Sequence, residues 1–495
     1  MRGKGQLLSH RAAIALFLVL AIAVSGASAY YLTRQPGSLT CSAPHAGEGA
    51  TYQADKVQFG AVTEYCLANP SRWPNAVVQG PDGSVWFGEE AVPGVGRLFP
   101  SNGTVVEYPW PGANGTINMY RAGIWGLMIW NGMVWGADSD GNALVGHNST
   151  TGATKTVNAT GAPFPYTLAT SPDGSMWFTS LHVPAVLGRI SPDLTLQVFG
   201  LAGLGKEEPI QMQFVNSSLA YLVALNPLSS AGEGALYSFN PRASNGTLAA
   251  TRVGGNFSLF FPDSLSVSPG NIWVSQHYPA NVADYNLKSA EWTVYPTSTV
   301  TYEDTTLPYF IEVSPSSPQL VWFNEHYGNR IALLDSSTGS LTEYSEANPQ
   351  VTVGGDIQND LTIAATASGL WFTSTTGNYI GFVDETYDPG FGVAISGQNH
   401  LTLAPSGSAT ARFTISGTWS KSLEVKVSDT ENFSSVPSDI SIEPSQTSIQ
   451  PGSGPVTLDV VLAVQPGLSP GRYTAAVTVT DGLILRTAYV FIQVT

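Results

Sequence analysis

Six tryptophans recur along the chain, at Trp86, Trp135, Trp177, Trp273, Trp322 and Trp371, and a seventh copy carries Ala220 in the tryptophan's place. Three residues after each anchor stand Glu89, Asp138, Ser180, Val223, Gln276, Glu325 and Ser374, and histidines follow one or two residues later at His182, His277 and His326. Side chains on a strand alternate with period two, so these positions face away from the anchor. Carboxylates and imidazoles brought together from different repeats are donors for a divalent ion. Glu325, His326, Glu89 and His277 form the candidate metal set, a mixed O/N donor group suited to Mg²⁺, Mn²⁺ or Zn²⁺. Glu325 and His326 are also the candidate catalytic residues, a carboxylate there serving as a base. As a ligand-binding surface the same end of the repeats offers Glu89, Asp138, Gln276 and His277. The connections between repeats add the aromatics Trp73, Tyr166 and Tyr309, which could stack on sugars or anchor a partner. The plain alternatives are a rim of solvated strand ends and loop aromatics folded onto their neighbours. The sequence has no phosphate-binding loop, dinucleotide fingerprint, His-Glu-x-x-His or nucleophile elbow. Gly94 and Gly96 read as turn markers.

The elements that must position these residues follow from the repeat. The anchors are spaced by about 47 residues. Asp82-Gly-Ser-Val-Trp-Phe, Asp173-Gly-Ser-Met-Trp-Phe and Gln319-Leu-Val-Trp-Phe are each followed by a second strand at Gly96-Arg-Leu, Gly188-Arg-Ile and Arg330-Ile-Ala-Leu. Four short strands per repeat of this length predict a propeller blade, with the tryptophans as core between blades. Outer strands end in Glu107-Tyr108 and Glu343-Tyr344, and the same pair stands at Glu64-Tyr65, ahead of the first repeat. The last repeat stops after Ile380-Gly-Phe-Val383. The chain start is therefore expected to supply the missing strand and hide the sheet edges. After Asp384 the period breaks, and about seven alternating runs without cysteine predict an immunoglobulin-like sandwich. The fold expected is all-β: a seven-bladed β-propeller of four-stranded blades, closed by an N-terminal strand, then the sandwich. One apolar helix precedes them. The boundaries are a signal peptide or anchor at 1–33, a linker at 34–57, the propeller at 58–387 and the sandwich at 388–495.

Composition constrains the setting. The chain has 20 Lys+Arg against 36 Asp+Glu, a net charge of −16, which argues against nucleic acid as a partner. Arg2, Lys4 and Arg11 precede an uncharged apolar stretch from Ala12 to Thr33, with Ala27-Ser-Ala29 inside it. This reads either as a cleaved signal or as an uncleaved anchor, the membrane being met only through this segment. Either puts the rest outside the cytoplasm, secreted or at the cell surface. Eight N-x-[ST] sequons, at Asn102, Asn114, Asn148, Asn158, Asn216, Asn245, Asn256 and Asn432, suit a glycoprotein. Cys41 and Cys66 are free to pair in an oxidising compartment, the alternative being two unpaired thiols. The closed loop would contribute about 3 kcal/mol.

Residues 62–112 resemble streptogramin B (virginiamycin B) lyase repeats through Val62-Thr-Glu-Tyr, Pro81-Asp-Gly-Ser-Val-Trp-Phe, Gly96-Arg97-Leu98 and Glu107-Tyr108-Pro109. The resemblance extends over about 58–387. It implies a seven-bladed scaffold and a lyase that opens a cyclic depsipeptide by elimination with one divalent cation, Mg²⁺. That family keeps essential histidines after a proline at the start of inner strands. Here the corresponding residues are Asn75, Tyr166, Asp263 and Tyr309, after Pro74, Pro165, Pro262 and Pro308. The expected function is binding of a small molecule, glycan or cell-surface protein on the loop face, with a metal-dependent lyase of altered active site as the alternative.

Overall fold

The computed structural model describes residues 51–68, 73–89, 94–110, 123–229, 232–242, 246–277, 280–298, 306–326, 328–347, 360–375, 377–429 and 440–495. The expected N-terminal helix, most of the linker, and Cys41 with its pairing to Cys66 lie outside the described residues. So do the sequons Asn114, Asn245 and Asn432. Among the described residues all regular structure is β, and no helix is long and apolar enough to cross a membrane.

The tryptophan repeats fold as antiparallel meanders. The first runs Pro74–Gln79, Val85–Glu89, Gly94–Phe99, Thr104–Pro109 from inside to outside. The same pattern recurs between Ile124–Trp130 and Thr154–Asn158, Pro165–Thr170 and Leu196–Ala202, Glu208–Asn216 and Thr247–Val253, Pro262–Ser268 and Glu291–Pro296, and Pro308–Val313 and Ser340–Ser345. The last meander has Asp360–Thr366, Gly369–Ser374 and Tyr379–Asp384, and its outer strand is Val62–Cys66, with Glu64 opposite Gly381. The innermost strands pack side by side in chain order, and Asp360–Thr366 packs back against Pro74–Gln79. The result is a β-propeller closed by the chain start. The end of the expected linker is not a linker. Thr51–Gln53 pairs with Thr104–Pro109 and Asp55–Phe59 with Val62–Cys66, covering two edges that would otherwise be open.

Each anchor is buried and shares a core with the next meander. Trp177 packs with Leu222 and Phe239, Trp322 with Phe372, and Trp371 with Val77 and Phe87. The other recurring letters of the repeat serve the same packing. Arg97 lies over Trp86, 4.9 Å from the ring centroid, and bridges to Asp82. Arg189 repeats this over Trp177 and reaches Asp173 at 2.7 Å. Gly96 is not a turn residue. It lies mid-strand under the Phe87 ring, and a Cβ there would sit 1.9 Å from Phe87 Cζ, as one at Gly188 would sit 2.0 Å from Phe178 Cζ.

The C-terminal segment forms two facing sheets. One contains Phe391–Ile395, Ser408–Trp419, Val456–Val464 and Ile440–Pro444; the other contains His400–Leu403, Ile484–Val494, Gly471–Thr480 and Leu423–Asp429. This segment is not merely appended. Ile484–Val494 pairs antiparallel with Ser340–Ser345, so one sheet runs through both parts. Tyr489 Oη donates to Pro296 O at 2.7 Å and Thr474 Oγ1 to Val294 O at 2.8 Å. Strand pairing satisfies the outer edge of that meander, which alternation alone leaves undetermined.

Candidate functional site

The site begins with a backbone device. In four meanders the inner strand opens with a proline, and the residue before it is left-handed: Trp73 at φ 52°, Phe164 at 52°, Phe261 at 46° and Leu307 at 50°. Non-glycine residues adopt this conformation only where the surroundings enforce it. The enforcing contacts are visible. Phe261 O accepts His277 N–H and Leu307 O accepts His326 N–H, both at 3.0 Å, while Phe164 O accepts Leu181 N–H at 3.0 Å. The starts of these three inner strands are thus clipped to the ends of their tryptophan strands. A bulge follows immediately, with register shifts after Pro74, Pro165, Pro262 and Pro308. Bulges re-aim side chains, here Asn75, Tyr166, Asp263 and Tyr309.

Three of those four side chains meet with two histidines. Tyr166 Oη and Tyr309 Oη are 2.7 Å apart. They belong to inner strands that are not neighbours in the ring, so the bridge spans the channel. The His277 ring stacks on Tyr309 at 5.0 Å, and His326 lies 5.1 Å from Tyr309 and 5.4 Å from His277. Trp125 packs on Tyr166 at 5.5 Å. Asp263 Oδ2 is 2.7 Å from His277 Nδ1. Tyr166, Tyr309, His326 and Asp263 are buried, whereas the His277 side chain keeps 20% of its surface open. His277 Nε2 has no hydrogen-bond partner, and neither amide atom of the fully buried Asn75 has one. Burial pushes the Asp263 carboxyl above its ordinary range, with His277 pulling the other way, and burial raises the Tyr166 phenol. The arrangement offers an aromatic floor and a partly exposed imidazole whose Nδ1 faces the Asp263 carboxylate and whose Nε2 is buried.

The remaining sequence candidates go elsewhere. The rim is not solvated: Glu89, Ser180, Gln276, Glu325 and Ser374 are all buried, because the strand ends lie in the seams between meanders. Glu325 faces Arg330 at 3.9 Å and Glu343 beyond it, and burial, then Glu343, hold its carboxyl well above the usual range against the pull of Arg330. Glu89 shares a second seam with Glu107 and Tyr52, whose phenol donates to Glu107 at 3.0 Å and is pushed up by burial and both carboxylates. Gln276 ties Phe260 N–H to Asn281, and Asp138 accepts from Gly141 N–H at 2.8 Å. His182 sits against Pro184 O. The metal set Glu325, His326, Glu89 and His277 therefore does not assemble. Among the described residues no group of three or more His, Cys, Asp or Glu could hold a metal ion, so the Mg²⁺ that the resemblance implies does not fit these donors. Trp73 is half-buried beside its proline. What the sequence reading missed is Asp263 as the partner of His277. Its place after Pro262, matching Tyr166 and Tyr309, was the available signal.

Fold and site together define a β-propeller whose channel is bridged by side chains from bulged inner strands. Virginiamycin B lyase from Staphylococcus aureus is similar in structure, with a TM-score of 0.52 and 18% identity over 65% of this chain and 98% of that one. A catalytically inactive variant of that lyase with quinupristin gives 0.51 at 18% identity, again over 65% and 98%. A further streptogramin B lyase structure gives 0.50 at 17% identity over 65% and 97%. The chain thus has a lyase-like propeller fold. No family model matches the chain, and no curated protein matches it by sequence.

Proposed function

We propose that this is an exported binding protein, secreted or held at the cell surface by its N-terminal segment, that receives a ligand at the loop end of the propeller channel. We read the meanders as seven blades, the C-terminal sheets as an immunoglobulin-like sandwich, and Cys41 with Cys66 as a disulfide formed after export. The observation that carries the reading is the Tyr166–Tyr309 bridge across the channel, with the partly exposed His277 ring stacked on Tyr309. A stacked aromatic floor with one polar handle recognises a planar or sugar-like surface and holds it through a few directed hydrogen bonds. The test is a panel of soluble glycans and small aromatic molecules, read by tryptophan and tyrosine fluorescence of the purified chain. A saturable ligand should lose at least tenfold affinity in His277→Ala, compared at a temperature where circular dichroism shows the variant folded. Ligands that bind His277→Ala and Tyr309→Phe as well as the parent would move the site off the channel.

One observation favours a second reading, an eliminating enzyme related to the lyase. The Asp263–His277 pair at 2.7 Å has the form of an oriented base. Incubation with quinupristin, followed by mass and chromatographic detection of ring opening, separates the two. The binding reading expects intact substrate, and opening lost in His277→Ala would replace it.

A further inference from the structure

Five sequons lie among the described residues, and their backbones are not alike. Asn102 Oδ1 accepts Thr104 N–H at 3.0 Å, Asn148 Oδ1 accepts Thr150 N–H at 3.0 Å, and Asn216 Oδ1 accepts Ser218 N–H at 2.9 Å. At Asn216 the Ser218 hydroxyl donates to the same oxygen, also at 2.9 Å. Each is an Asx turn built by the sequon itself, the third residue of the motif closing onto the first. With Oδ1 drawn onto its own backbone, Nδ2 is turned outward, and the hydrogen bond to Oδ1 makes loss of an Nδ2 proton easier. Asn102 and Asn216 are exposed and Asn148 is half-buried; Asn158 and Asn256 are exposed too, but Asn158 sits in an extended outer strand opposite Ala143, and neither closes such a turn.

The three turns also share a side of the ring. Asn102 and Asn148 lie between third and outer strands, just past the pairs Phe99–Thr104 and His147–Thr154, and Asn216 lies at the turn where it pairs with Leu219. That end is opposite the one holding Tyr166, His277 and Tyr309. Asn158 and Asn256 lie toward the channel end, on the outside of the ring.

We propose that Asn102, Asn148 and Asn216 are the N-glycan acceptors of this protein, and that their sugars coat the end of the propeller away from the channel cluster. In the modification, Nδ2 bonds to the anomeric carbon of an oligosaccharide carried on a lipid phosphate. The carbon–oxygen bond to the phosphate breaks, the lipid phosphate leaves with the electron pair, and Nδ2 gives one proton to the transferase's base. Each turn spans three residues, so it can form before the ring closes. The inference rests on the export reading above.

The test is production of the full chain in a yeast secretory host, with glycopeptide mapping after enzymatic release of sugars in heavy-oxygen water. A parallel version carries the host's own secretion signal, so that acceptor use is read even if the native N-terminus fails to export. Occupancy at Asn102, Asn148 and Asn216 should exceed that at Asn158 and Asn256 at least fivefold, and the Asn→Gln triple variant should lose most of the glycan mass. Equal or reversed occupancy, or a secreted chain bare at all three, overturns the proposal. Retention of the native chain in the cytoplasm, with the host-signal version glycosylated at the three sites, refutes export and leaves the acceptor assignment standing.

Discussion

The end of a tryptophan strand and the start of its inner strand lie side by side, with Glu325 opposite Pro308, yet the two positions serve different regions. Glu325 points into a seam between meanders, and Tyr309, one residue past Pro308, points into the channel. The seam is dry and charged. Glu343 Oε1 accepts both the N–H and the hydroxyl of Ser298, at 3.2 and 2.7 Å, and Arg330 sits 3.7 Å away. Glu64 repeats the device by accepting Ala347 N–H at 2.7 Å. In both cases the outer-strand glutamate caps the segment leaving the preceding meander. The Glu-Tyr pairs of the sequence are therefore clamps between meanders, whereas the channel is aromatic and nearly neutral. Carboxylates near a channel mouth are not thereby a site; their direction decides.

Substitutions should separate the regions. The largest effect is expected at the seam. Glu343→Ala removes the acceptor of both the Ser298 N–H and its hydroxyl, and two hydrogen bonds to a buried charged group contribute about 1.5–3 kcal/mol each. Chemical denaturation should show it, while any ligand affinity of the folded chain is unchanged. A loss under 1 kcal/mol would mean the clamp is not structural. Gly188→Ala forces a Cβ into the Phe178 ring and should cost about 1–3 kcal/mol, read the same way.

The seams also set a pH dependence. Burial, and Glu346 beside it, push the Glu64 carboxyl up to about 8 in the folded chain, against 4.5 ordinarily. A group with a raised folded pKa gives stability that is complete below the unfolded value and lost as pH rises through the folded one. Stability should therefore decline between pH 4.5 and about 8, and Glu64→Gln should flatten that decline. Melting curves across this range check it, and a melting temperature rising steadily with pH would reject the assignment.

The channel should be more tolerant. Tyr309→Phe removes the hydroxyl bridge to Tyr166 and should cost about 1 kcal/mol, with binding affected more than stability. The smallest effect belongs to Arg472→Ala. Its pair with Glu291, at 2.6 Å, is more than half exposed on both sides, and water and salt screen such pairs so that they add little to stability. Undocking of the C-terminal sheets by that change alone would show that the shared strand pairing is weaker than its register suggests.

The amino-acid sequence by itself determined the meanders, their tryptophan cores and the closing strand at Glu64-Tyr65. Each rests on local alternation and a repeat that must bury both faces of a sheet. It also marked His277, His326, Tyr166 and Tyr309, because position within the repeat survives folding. Only the tertiary structure decided that Glu325 and Glu89 leave the channel and that Asp263 joins His277. It also decided that Ile484–Val494 completes an edge of the propeller. Periodicity says which face of a strand a residue occupies, but bulges after Pro262 and Pro308 rotate the chain between faces. Whether a face borders a channel, a seam or a neighbouring sheet depends on strands hundreds of residues away.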